Sequence, residues 1–66
     1  MEKAKAKAVL EAILFTMGES VEIDRLSAVI EEDRKDTRKL LQEMQEEYQN
    51  TERGIGLAFF EDAVQL

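Results

Sequence analysis

Arg34, Lys35, Arg38 and Lys39 crowd the first half of a helical segment, and cations gathered in this way suit phosphate contact. In a helix-turn-helix module the start of the third helix is where base edges are read. Acid flanks them closely, however. Glu31, Glu32, Asp33 and Asp36 would repel phosphates within a Debye length of about 8–10 Å. Glu43, Glu46 and Glu47 crowd the far end of the same segment. That polarity runs against the helix dipole, which favours acid at the start and base at the end. A locally unfavourable arrangement sometimes marks function. The competing reading is a solvated face with ion pairs, Lys39 with Glu43 and Glu32 with Arg34 and Lys35.

Few other residues could do chemistry. The chain has no Cys and no His, which excludes disulfides, thiolate chemistry, thiolate or imidazole zinc sites and imidazole acid–base catalysis. Ser20 and Ser27 have no histidine to activate them. The carboxylates lack calcium-loop spacing and read as a solubilising surface. Gly54-Ile55-Gly56 lacks a third Gly and leads into a strand, so a dinucleotide loop is excluded; Gly56 instead relieves crowding or marks a bulge. No catalytic residue, cofactor or metal is expected. Overall, 15 Asp and Glu against 9 Lys and Arg give a net charge of −6, the wrong sign for a phosphate binder.

Three helices must position these groups. Residues 2–17 read as the first, rich in Ala and Leu, with Gly18 placed for a left-handed cap. A short extended link around Ser20 and Val21 follows. A second helix is expected over residues 23–31, with Leu26, Val29 and Ile30 on one face. A third starts at Asp33 as N-cap and runs to about Gln49, its apolar stripe being Thr37, Leu40, Leu41, Met44 and Tyr48. Then the period changes. Ile55, Leu57 and Phe59 alternate with Gly56, Ala58 and Phe60 as in a half-buried strand. Glu61-Asp62-Ala63 can turn the chain, and Val64 and Leu66 resume the alternation. Helix, helix, helix and hairpin is the order of a winged helix, mainly α with a small β-hairpin.

On the first helix, Ala6, Val9, Leu10, Ile13, Leu14 and Met17 share the face expected to be core. Ala4, Ala8, Ala12 and Phe15 form a second apolar strip where a surface helix normally presents charge. Small residues ending in Phe let another helix approach closely, as a self-pairing face would. Alternatively, the wing or the third helix covers the strip within one domain. Phe59 points to the core side of its strand. Phe60 sits on the outer face beside Ala58 or caps the sheet edge, as a contact anchor or an ordinary exposed residue.

Sixty-six residues allow one domain, residues 1–66, and a chain this short buries only about 60% of its unfolded surface. Lys3, Lys5 and Lys7 precede an apolar run as in a secretion signal, but Glu11 interrupts it and no cleavage site follows Met17. No stretch approaches the roughly 20 apolar residues needed to span a bilayer. A soluble, cytoplasmic protein is expected. The second strand stops after three residues, which suggests an N-terminal fragment of something longer.

Lys7-Ala8-Val9-Leu10-Glu11-Ala12-Ile13-Leu14-Phe15, Gly18-Glu19 with Val21, Glu47-Tyr48, Arg53-Gly54-Ile55 with Leu57, and Gln65-Leu66 together resemble the start of segregation and condensation protein B. The Arg-Gly-Ile step after a Glu-Tyr helix end is the most specific part. The family's hairpin turn often holds Gly where this chain has Asp62 and Ala63, and an aromatic is common where Val64 stands. The resemblance covers the first of that family's two winged-helix domains. It implies a non-enzymatic accessory subunit of bacterial condensin, associated with the nucleoid in the cytoplasm. Members pair through the N-terminal domain and grip the central segment of a kleisin, which bridges the structural-maintenance-of-chromosomes ATPase. The expectation is therefore a homodimerisation module whose interface is Ala4, Ala8, Ala12, Phe15 and Phe60. The alternative is a DNA-binding regulator fragment using Arg34, Lys35, Arg38 and Lys39.

Overall fold

A computed structural model describes residues 1–50 and 56–66. Helices α1 (Lys3–Met17), α2 (Ile23–Ile30) and α3 (Arg34–Gln49) pack around one core, with strand β1 (Val21–Glu22) between α1 and α2. Strands β2 (Ala58–Phe59) and β3 (Ala63–Gln65) form the closing hairpin. The fold is a winged helix.

Each helix has a local reason to start and stop. The Glu2 carboxylate accepts the Ala4 N–H at 3.0 Å at the start of α1. Gly18 ends that helix at φ 66°, where its N–H meets the Leu14 carbonyl. A side chain disfavours this left-handed backbone, so glycine suits the position. The Asp33 carboxylate accepts the Asp36 N–H at 2.7 Å, the N-cap expected for α3. Helix α2 stops one residue earlier than its expected end. Glu31 takes φ 57° there, and the Glu31 and Glu32 N–H groups both reach the Ser27 carbonyl. No glycine marks this cap.

The link at Val21 is a third strand, which two residues without visible alternation do not announce. Strand order is β1-β3-β2, all antiparallel, with Val21 opposite Val64 and Val64 opposite Phe59. Residues directly opposite share a face, so Val21, Val64 and Phe59 make one row toward the helices. Val21 and Val64 are buried and Phe59 packs on them half-buried. The hairpin's last strand is thus paired on both sides. The expected strand start at Ile55, and the Arg53-Gly54-Ile55 step, lie outside the described residues.

Ala6, Leu10 and Leu14 from α1 meet Ile23, Leu26 and Ile30 from α2 and Leu41, Met44 and Tyr48 from α3. Val9, Ile13 and Leu40 line the rim of this core. Two expected core positions are exposed instead. Met17 is 38% exposed because it is the last residue of α1, where the chain turns away. Val29 is 46% exposed; the buried face of α2 is Ile23, Leu26, Ser27 and Ile30, the i, i+3, i+4, i+7 set.

Ser27 and Thr37 carry the polar join between α2 and α3. The Ser27 Oγ lies 2.9 Å from the Ile23 carbonyl and 3.0 Å from the Thr37 Oγ1, whose hydroxyl donates to the Asp33 carbonyl at 2.8 Å. Thr37→Val keeps the shape and removes this hydroxyl from the network. It is expected to cost about 1–2 kcal/mol, read as a lowered urea midpoint with unchanged slope.

Candidate functional site

The apolar strip of α1 has no cover from the described residues. Ala4, Ala8 and Ala12 are exposed, and Phe15 is 74% exposed. Ala4, Ala8 and Ala12 are offset by two residues, about 200° of rotation, from Ala6, Leu10 and Leu14 on the buried side. Ala8, Ala12 and Phe15 border a shallow groove with Glu11, Thr16 and Leu66. Leu66 and the end of α3 border the strip without burying Ala4, Ala8, Ala12 or Phe15. Phe60, one residue past the end of β2, is 53% exposed.

The rim of α1 facing α3 is polar and locked. Lys3 Nζ lies 2.6 Å from Glu43 Oε1, and Lys7 Nζ lies 3.1 Å from Glu47 Oε1. The Tyr48 hydroxyl donates to the Glu11 carboxylate at 2.7 Å. Glu43 therefore pairs across to α1, and the expected partner within its own helix, Lys39, does not reach it as an ion pair. The hydrogen bond from Lys3 lowers the Glu43 pKa below the usual carboxylate range, with the charges of Lys3, Lys7 and Lys39 adding to it. Such a lowered pKa contributes stability that is present at neutral pH and lost as pH falls through the folded value. Exposure to solvent keeps the contribution small.

The basic start of α3 is turned to the wing. Arg34 Nη1 donates to Asp24 Oδ1 at 3.1 Å, and its Nη2 donates to the Asp62 carboxylate in the β2–β3 turn. The hydrogen bond to Asp62 and the charge of Asp24 raise the Arg34 pKa further above its ordinary value. Arg38 Nη2 donates to the Glu61 carbonyl at 2.8 Å, while its guanidinium stands 5.8 Å from the centre of the Phe59 ring. Two of the four candidate phosphate ligands thus hold the wing to the helices; Lys35 and Lys39 remain on the exposed side of α3. The expected pairing of Glu32 with Arg34 and Lys35 is replaced by contact with the Met1 amine at 3.5 Å. The aspartates have the better geometry because the turn and the start of α2 converge on Arg34.

Sequence reasoning missed Asp24 and Asp62 as the partners of Arg34. Their signal is present only as two acids far apart in the chain, and the sheet brings them together: the Ile23 N–H donates to the Asp62 carbonyl at 2.8 Å. Among the described residues, no group of three or more carboxylates is placed to hold a metal ion, and no helix is long and apolar enough to cross a membrane.

An acidic winged helix with its α3 arginines turned onto its own wing, and with a bare apolar face on α1, is the class these observations define. Within that class, the chain belongs to the segregation and condensation complex subunit ScpB family, whose model matches residues 8–66. A segregation and condensation protein B from Lachnoclostridium phytofermentans is 39% identical over 66 residues, all of this chain and 35% of the relative. One from Agathobacter rectalis is 44% identical over 61 residues, covering 91% of this chain and 33% of the relative. One from Caldanaerobacter subterraneus subsp. tengcongensis is 40% identical over 57 residues, or 86% and 34%. The chain spans about a third of the length of these relatives.

Proposed function

We propose that this chain is a single winged-helix domain, the N-terminal part of a longer protein, and that it works by protein contact with no catalysis. Its task is chromosome condensation and segregation within a bacterial condensin complex, in the cytoplasm at the nucleoid. Two copies pair through Ala4, Ala8, Ala12 and Phe15 of α1, with Phe60 as a further contact. In the longer protein the pair grips the central segment of a kleisin subunit, which bridges the structural-maintenance-of-chromosomes ATPase.

The family supports the task, and one observation supports the surface: Phe15 is 74% exposed at the end of a strip of exposed alanines. An aromatic side chain held in water beside small residues has most to gain from a close partner. The charge balance supports protein over nucleic acid, since Arg34 and Arg38 are engaged internally and the net charge is −6.

A duplex titration tests the nature of the partner. The account expects no saturable binding of random duplex at 50 mM salt up to about 50 μM protein, within the range of weak non-specific complexes. Micromolar binding that falls steeply as salt rises would replace it with the DNA-binding reading through Arg34, Lys35, Arg38 and Lys39.

A further inference from the structure

The β2–β3 turn occupies the cationic donors at the start of α3. Its Asp62 carboxylate receives the Arg34 guanidinium, its Glu61 carbonyl receives Arg38, and its Asp62 carbonyl receives the Ile23 N–H at the start of α2. Asp24 holds the other side of Arg34. A wing that assists nucleic-acid binding would leave these donors facing outward. This turn folds back and supplies both negative charge and acceptor oxygens to the helix that would otherwise make phosphate contacts. Lys35 and Lys39 lie on the same half of α3, where Asp33 and Asp36 offset them.

We propose that the acidic wing turn is a built-in substitute for phosphate, which together with Asp24 keeps the cationic start of α3 off nucleic acid. The device shares no residue with the pairing surface, and of that surface only Phe60 adjoins it, next to Glu61. Exposed ion pairs are weak, so the carboxylates act mainly by charge: they cancel the field that would attract a duplex and repel its phosphates at short range. The guanidinium itself is not sterically sealed, being partly open to solvent. Removing the carboxylates therefore exposes a latent polyanion-binding surface without rebuilding the fold.

Asp24→Asn with Asp62→Asn tests this by fluorescence anisotropy against random duplex DNA. The control is Glu46→Gln with Glu47→Gln, at the far end of α3. At ~1.5 Å of rise per residue those groups stand about 18 Å or more along the helix from Arg34, beyond the Debye length of about 14 Å at 50 mM salt. Both pairs take the net charge from −6 to −4. The wing variant is expected to bind at least about tenfold more tightly than wild type at 50 mM salt. One added phosphate contact through Arg34 would steepen its log–log salt slope by about 1. The control is expected to gain clearly less than the wing variant, since it frees only Lys7 of α1, away from the start of α3. Adding Arg34→Gln to the wing variant should abolish most of the gain.

Circular dichroism and thermal melting establish that each variant is folded. Should the double variant unfold, Asp62→Asn alone carries the test, with a smaller gain in affinity expected because Asp24 still holds Arg34. No gain in a folded wing variant, an equal gain in the control, or a gain that survives Arg34→Gln would each overturn the proposal. Duplex binding by wild type would instead contradict the protein-partner reading, so the two failures are distinguishable.

Discussion

Leu10→Ala is expected to leave the isolated chain largely unfolded near physiological temperature. Leu10 is fully buried where α1 meets the rest of the core. Truncating such a leucine costs about 2–5 kcal/mol, from lost transfer free energy and from the cavity left behind. Native domains hold about 0.05–0.15 kcal/mol per residue, which for 66 residues is about 3–10 kcal/mol in total. The loss is therefore comparable with the whole stability. Circular dichroism would show helix content collapsing at temperatures where wild type is folded. If pairing also stabilises the fold, the unfolding midpoint of this variant should climb with protein concentration, because dimer formation draws on the native state alone.

Phe15→Lys acts at the opposite face and leaves the core intact. Its ring is exposed in the single chain, so the monomer's own stability should change little. Burying one such ring contributes on the order of 1.5–3 kcal/mol, and a two-fold pair buries two. The substitution adds two like charges to the interface as well. Pairing is expected to weaken by at least ~10²–10⁴-fold, read as a rise in the dimer dissociation constant with an unchanged circular dichroism spectrum. An unchanged dissociation constant would remove Phe15 from the interface.

Much of this architecture is legible in the chain because the helices announce themselves locally. Gly18 and Asp33 end α1 and start α3 where their types predict, and the stripe from Thr37 to Tyr48 is the buried face of α3. The alternation of Leu57 and Phe59, resumed by Val64, places the hairpin and sends Phe60 outward. What escaped notice depends on distant partners. Val21 becomes a strand residue only because Val64 arrives beside it. Ser27 carries no local sign of its buried place, which depends on the second hydroxyl that Thr37 supplies. Val29 was a matter of phase: starting the count at Ile23 selects Leu26, Ser27 and Ile30 and leaves Val29 outside.

The site was legible in part for the same reason. Composition alone separates the α1 strip from the core, since alanines and Phe15 occupy the side where charge is normal. The basic cluster could not be interpreted from spacing. Whether Arg34 and Arg38 face solvent or the wing depends on where a turn some two dozen residues later folds back. The acidity that argued against nucleic acid as a bulk property becomes specific once Asp24 and Asp62 stand on Arg34.

The most direct test is sedimentation equilibrium of the wild-type chain from about 1 μM to 1 mM protein, a range that spans weak to moderate association constants. The account predicts a weight-average mass that rises toward twice the monomer value of 7.6 kDa. A mass that stays at the monomer value across the whole range would contradict pairing through α1.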